Sequence, residues 1–355
     1  MRKGWLFVIF LRLCLQSLFA DDFPDATVTR QVFLMGTRCQ ITAQAPSRDA
    51  ALAATEAALR ALEQAEGRLS TWRQDTELAR VNAAPLQLPI ALSPRLCSEL
   101  QEALFWSRHT GGAFDPTVGW LVGAYDLRGK GRFPSPAELA AARARTGYRH
   151  LRLSGCTLTK EAPVVLEEGG FGKGAALAAA LEAAAPLATA LQLDLGGQLA
   201  WSGGEQLVGL RHPEDPARVV ALWRLPAGSV ATSGNGERGL WVERTRLSHI
   251  LDPRTGKPAP DFGTVSVWAP DPLTADCLST ALFVLGPEAG ARFLRRVPRV
   301  QAVFFCKAGD RFGVLATPVA RKHLELLDPG FFWMQERRQK AAEGGTKRWE
   351  GGTKP

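Results

Sequence analysis

Strand-length apolar segments succeed one another with no helical period between them: Leu191–Leu195, Gln206–Leu210, Val219–Leu225, Leu240–Glu243 and Thr264–Trp268. A doubly wound parallel sheet needs a crossover helix between paired strands, so this run excludes it. Helical periods lie on either side. Lys173–Ala185 precedes the run; Thr274–Gly286 and the shorter Glu288–Arg296 follow it. Upstream, Asp49–Arg68 is an Ala/Leu/Glu-rich helix. The segment from Leu92 opens on Ser93 and Pro94 and stops at Gly111-Gly112, and Pro134–Arg145 opens on Ser135 and Pro136. Gln31–Gln44 alternates like a strand around Met35-Gly36-Thr37, and further strands are expected at Leu151–Leu153, Cys156–Thr159, Val164–Leu166, Ala302–Cys306 and Gly313–Ala316. The mixture reads as α+β.

A chain of 355 residues, 46% hydrophobic and 22% charged, can bury a full core. The net charge of +8 invites a search for an acidic partner, but Arg2, Lys3, Arg12, Arg337, Arg338, Lys340, Lys347, Arg348 and Lys354 crowd the two ends. No basic stripe is interleaved with aromatics, so nucleic acid is excluded as a partner.

Two cations, a short apolar run and Ala20 before Asp21-Asp22 make residues 1–20 an export signal cut after Ala20; Arg12 and Leu18 depart from that pattern, and an uncleaved anchor is the second reading. Residues 21–334 form the folded domain. From 335 to 355 the chain is polar and repeats EGGTK, which reads as disordered. Beyond the signal, Cys39, Cys97, Cys156, Cys277 and Cys306 show no C-x-x-C spacing, against a zinc or thiol-redox motif. Export permits one disulfide between an undetermined pair; mostly buried thiols acting as small hydrophobes is the blander reading.

Several clusters exceed what turns require. TGGAFDPTVG, Thr110–Gly119, places Asp115 before Pro116, where the backbone is held extended and the carboxylate can be presented. EEGGFGKGAA, Glu167–Ala176, follows a strand and opens a helix, so its amides and Lys173 suit an anion, without the spacing of a nucleotide fingerprint. DLGGQLAWSGG and VATSGNGERG read as two more glycine-rich loops. His249 sits on a strand-like SHIL segment before a DPRTG turn, and Asp276 and Thr280 stand one helical turn apart on one face. Each alone is compatible with a core histidine, a turn former or a helix-end charge; together they outline a site for a large phosphate-bearing ligand.

MGTRCQI, LSTWRQDTELARVN, TGGAFDPTVG, EEGGFGKGAA, VATSGNGERG, SHILDPRTGKP and TADCLSTALFVLG occur in the order and approximate spacing of the ApbE family, the FAD:protein FMN transferases. The resemblance spans about Phe33 to Phe305. It implies a T-fold-like single large domain with the flavin site in a central cleft. It implies a magnesium-dependent enzyme that splits FAD, its substrate, and attaches FMN by a phosphoester bond to a Ser or Thr of another protein, releasing AMP.

By the same resemblance, Asp276, Thr280 and the backbone carbonyl of Gly170 hold Mg²⁺, a hard cation that prefers oxygen donors. Met35, Trp72, Ala113, Phe114, Asp115, Glu167, Lys173 and Ile250 match flavin-binding positions, and His249 is the general base. The competing role for His249 is packing against the flavin. Trp72 replaces another aromatic, Glu167 an Asp, Gly236 a Tyr, and Gln198 an acid found in many members. The implied acceptor is an exported or membrane-bound redox protein carrying a Ser/Thr motif, the implied compartment the periplasm, with attachment to the inner membrane open. Two other classes fit the residues: an FAD pyrophosphatase giving FMN and AMP, and a non-catalytic flavin-delivery protein.

Overall fold

The computed structural model describes residues 25–236, 239–242 and 244–334; the expected export signal, the polar tail, Glu237, Arg238 and Glu243 lie outside the described residues. A nine-stranded sheet runs through the molecule in strict chain order: β1 (Ala26–Leu34), β2 (Thr37–Ala45), β3 (Ala190–Leu195), β4 (Gln198–Ser202), β5 (Gly228–Gly234), β6 (Gly263–Ala269), β7 (Gln301–Ala308), β8 (Arg311–Ala316) and β9 (Phe331–Trp333). Every neighbouring pair is antiparallel except the last. The α+β expectation holds. The MGT turn joins β1 to β2, with Leu34 opposite Thr37.

Two glycine-rich stretches expected as loops contain strands instead. Gln198–Ser202 is β4 and Gly228–Gly234 is β5, each hydrogen-bonded on both edges. The glycines lie beyond the ends of β4 and at the two ends of β5, while the residues between them are held extended by ladder partners on both edges. Conversely, Val164–Leu166 forms no strand; Val165 makes only an isolated bridge to Val118.

Three helices cover one face of the sheet: α1 (Arg48–Leu69) over β1 and β2, α2 (Gly172–Ala184) beside it over β3 and β4, and α3 (Pro272–Leu285) over β5 and β6. Helix α1 starts where the Ser47 side chain accepts the Ala50 amide, and it buries Ala51, Ala54, Ala58, Leu62, Ala65 and Leu69 at three- and four-residue spacing. Replacing Leu62 by Ala in such a position costs about 2–5 kcal/mol. Helix α3 starts at Asp271, whose carboxylate accepts the Thr274 amide at 2.8 Å, and stops at Gly286, φ +77°. Across the sheet, Val230, Val303 and Phe305 point to the opposite face from Ala231, Ala302 and Phe304, and meet a small sheet containing Trp223. Among the described residues no helix is long and apolar enough to cross a membrane.

The helix expected from Leu92 is observed as Pro94–His109, capped by Ser93. A disulfide joins its Cys97 to Cys156, in the turn between Leu151–Ser154 and Thr157–Lys160. Cys39, Cys277 and Cys306 are buried thiols, so the hydrophobic reading applies to those three and not to the bridged pair.

Candidate functional site

The loop before α2 meets the first turns of α3. Gly174 makes this approach possible, because a Cβ there would lie 2.5 Å from the Pro272 carbonyl oxygen. With the helices this close, the Gly174 amide donates to Asp276 Oδ2 at 2.8 Å, and Lys173 Nζ stands 3.7 Å from Asp276 Oδ1. Asp276 is buried. One turn on, Thr280 faces Gly170: a Cβ at Gly170 would lie 3.4 Å from Thr280 Oγ1 and 3.1 Å from Phe114 Cε2. A carboxylate, a hydroxyl and a glycine backbone thus converge beside an ammonium group.

The donors are all hard oxygens, as Mg²⁺ prefers, and the glycine leaves room for a ligand where a side chain would crowd Thr280. Among the described residues there is no group of three His, Cys, Asp or Glu side chains placed to hold a metal ion. Ser279 fixes the helix further, donating to the Asp276 carbonyl at 3.0 Å and pairing with Ser233 of β5 at 2.9 Å.

The Thr110–Gly119 loop supplies the wall. Gly111 and Gly112 take φ of +62° and +80°, which reverses the chain after the helix. Ala113 and Phe114 are buried. Asp115 departs from the expectation that it presents its carboxylate outward. Oδ1 accepts from the Thr117 amide at 2.9 Å and the Thr117 hydroxyl at 2.6 Å, and Oδ2 from the Tyr148 amide at 2.7 Å. Burial raises its pKa against those hydrogen bonds. The carboxylate braces the loop that aims Phe114 at Gly170.

Met35 has φ +50°, donates its amide to Glu66 Oε1 at 2.8 Å, and brings its Cε within 3.5 Å of the Cβ position of Gly172. Trp72 is 67% exposed, with the Arg128 guanidinium 4.6 Å from its ring centre. Arg128 also pairs with Glu167 at 2.5 Å. Burial, helped by the charge of Glu168 and opposed by Arg128, pushes the Glu167 carboxyl up to about 7. Arg128 and Glu167 line a cavity of about 240 Å³ together with Thr71, Asn82 and Asp126. Asn82 clamps the strand-like segment above it, donating to the Leu166 carbonyl at 2.9 Å and accepting the Leu166 amide at 2.7 Å.

His249 is half-buried on an irregular segment, not a strand. Ser248 before it donates to Asn235 Oδ1 at 2.7 Å, which ties the segment to the end of β5, the strand whose Ser233 touches α3. Ile250 is buried in the core that includes Phe114 and Ala275. Gln198 donates its amide to the Pro272 carbonyl at 2.9 Å, a bond that an ionised acid at this position could not make. A larger depression, about 330 Å³, lies over Arg292, Phe293, Arg295 and Arg296 beyond the other end of α3 and holds no oxygen donor of this kind.

Arg128 and Asn82 were not among the residues singled out from sequence. Asn82 closes the LSTWRQDTELARVN motif, and Arg128 stands in a Gly/Lys/Arg turn whose only signal was local charge.

The chain is similar throughout its core to known proteins. The model of the ApbE family matches residues 35–304. The FAD:protein FMN transferase of Treponema pallidum (strain Nichols) is 34% identical over 306 residues, spanning 78% of this chain and 83% of its own length. That of Escherichia coli (strain K12) is 31% identical over 273 residues, spanning 72% and 77%. The crystal structure of the ApbE protein from Thermotoga maritima superposes with a TM-score of 0.77 at 26% identity, over 84% of this chain and 99% of that one.

Proposed function

The chain belongs to the ApbE family, and from that premise we propose that it is an FAD:protein FMN transferase, which cleaves FAD and esterifies a Ser or Thr of a second protein with FMN. The observation that carries the reading is the meeting of Gly170, Lys173, Asp276 and Thr280 where α2 begins against α3. The amides opening α2 and the Lys173 ammonium suit the FAD pyrophosphate. Asp276, Thr280 and the Gly170 carbonyl would hold Mg²⁺, which supplies charge neutralisation to the pyrophosphate when bound.

Phe114, Met35 and Ile250 offer apolar surface, and Trp72 a ring face, to the flavin. Ala113 brings backbone close, while Asp115 braces the loop and Glu167 sets the acidic edge of the cavity. His249 takes the proton of the incoming hydroxyl; the hydroxyl oxygen bonds to the FMN phosphorus, the bond from that phosphorus to the bridging oxygen breaks, and AMP departs with the electron pair.

Export to the periplasm fits the apolar N-terminal segment and the Cys97–Cys156 disulfide, since such bridges persist in oxidising compartments. The acceptor is then an exported or membrane-bound redox protein. The test mixes the protein lacking residues 1–20 with FAD, Mg²⁺ and a Ser/Thr acceptor domain, and reads flavin fluorescence on the denatured acceptor. A covalent signal absent from Asp276→Ala supports the proposal. Free FMN and AMP without an adduct would make the protein a pyrophosphatase.

A further inference from the structure

The turn from Tyr125 to Arg132 lies outside every motif that carries the family resemblance, yet it delivers Arg128 to the rim of the cavity. The turn is rigid by its own bonding. The Asp126 carbonyl accepts the amides of Gly129 and Gly131 at 3.0 and 3.1 Å, its carboxylate accepts that of Lys130 at 3.1 Å, and Arg132 donates to the Tyr125 carbonyl at 2.9 Å. Tyr125 is buried, so the base of the turn is anchored in a core.

From that base the guanidinium makes several separate contacts. One nitrogen reaches the Thr71 carbonyl at 3.1 Å; another donates to the Thr71 hydroxyl and to Glu167 Oε2, the latter at 2.5 Å. Its central carbon lies over the Trp72 ring, 4.6 Å from the ring centre. Thr71 in turn holds Glu168, through its amide at 3.2 Å and through its hydroxyl. A planar five-donor fork can satisfy a carbonyl, a hydroxyl and a carboxylate while stacking on a ring; an ammonium group cannot do so at once.

An exposed tryptophan with no such support loses rotamer freedom when a ligand stacks on it, and that loss subtracts from affinity. We propose that Arg128 is a positioning residue for FAD, fixing the plane of the Trp72 ring and the direction of the Glu167 carboxylate before the flavin arrives. This rests on the reading of the site as an FAD site. Arg128 acts through Trp72 and Glu167 and touches no reacting atom. The competing account is simple charge balance, an arginine that neutralises two neighbouring glutamates. Lysine separates the two, because it keeps the charge and loses the fork and the plane.

The experiment measures FAD affinity by flavin fluorescence, and KM and kcat for FMN transfer, in wild type, Arg128→Gln, Arg128→Lys, Trp72→Ala and the Arg128→Gln/Trp72→Ala double variant. The expected result is a Kd and KM for FAD raised about tenfold in Arg128→Gln, with kcat changed less than about threefold. Arg128→Lys stays closer to Arg128→Gln than to wild type. The double variant is no weaker than the worse single one, since both remove the same stacked platform. Full rescue by lysine, additive losses, or unchanged or tighter binding in Arg128→Gln overturns the inference while leaving the transferase reading intact. A wild-type protein that binds no FAD overturns both.

Discussion

The Asp276 carboxylate accepts the Gly174 amide at 2.8 Å across the crossing of α2 and α3, and the crossing is that close because Gly174 carries no side chain. A methyl there would meet the Pro272 carbonyl oxygen at 2.5 Å and Asp276 Cβ at 2.7 Å. Gly174→Ala therefore moves a helix: stability falls by about 1–3 kcal/mol and FMN transfer is lost with it. Gly67→Ala, in α1 with nothing within 4 Å of the new methyl, instead gains about 0.5–1 kcal/mol. Urea unfolding of both variants checks this; equal effects would refute the close crossing.

Asp276→Asn keeps an oxygen for the Gly174 amide and removes the charge. Transfer at saturating Mg²⁺ is expected to fall at least ~100-fold, the scale of losing one electrostatic contact to the transition state. The midpoint of thermal unfolding should move by only a few degrees. Stripping divalent cations from wild type with a chelator should abolish transfer and re-adding Mg²⁺ restore it; transfer that persists in either arm removes the metal from the proposal.

His249→Gln should lower kcat by ~100- to 10,000-fold, the range for a positioned base. FAD affinity, measured separately by flavin fluorescence, should stay within about threefold. A loss confined to affinity would instead make the imidazole a packing group against the flavin.

Glu167 gives the fold a pH dependence of known sign. Its carboxyl titrates at about 7 in the folded chain against an ordinary 4.5, so the folded state holds a proton that the unfolded chain has released in that interval. This group therefore destabilises the fold increasingly as pH rises from 4.5 to about 7, by up to ~3 kcal/mol, and not at all below that window. The difference in unfolding free energy between wild type and Glu167→Gln should change by that amount across the window. A difference that stays constant with pH would contradict the burial argument.

The Cys97–Cys156 bridge spans 59 residues of sequence. Closing a loop of that size in the unfolded chain is worth about 4 kcal/mol in the entropic account. Cys97→Ser/Cys156→Ser should lose stability on that scale, read by denaturant midpoint, and wild type should show the same loss under reducing conditions.

The elements written in periodicity and caps were legible in the sequence. Ser93 and Ser135 each cap the helix they were expected to open, and Asp276 and Thr280 do share a face. What failed was local reading of glycine: β4 and β5 look like loops because their strand character comes from neighbours on both edges, which no short window contains. Asp115 stood out in the sequence as a candidate site residue, but its inward turn depends on Tyr148, distant in sequence. Arg128 was missed because its importance comes from Trp72 and Glu167, brought to it by folding.

The sheet's chain order divides the labour of the molecule. Met35 lies between β1 and β2; Trp72, Ala113–Asp115 and Gly170–Lys173 between β2 and β3; His249 and Ile250 between β5 and β6; Asp276 and Thr280 between β6 and β7. No candidate residue stands on a strand. A one-residue slip within a strand would turn every buried side chain outward, whereas an insertion in an excursion leaves register untouched. The scaffold is therefore constrained in length and the excursions are not, so evolution can reshape the surface that meets a client protein without re-solving the problem of folding.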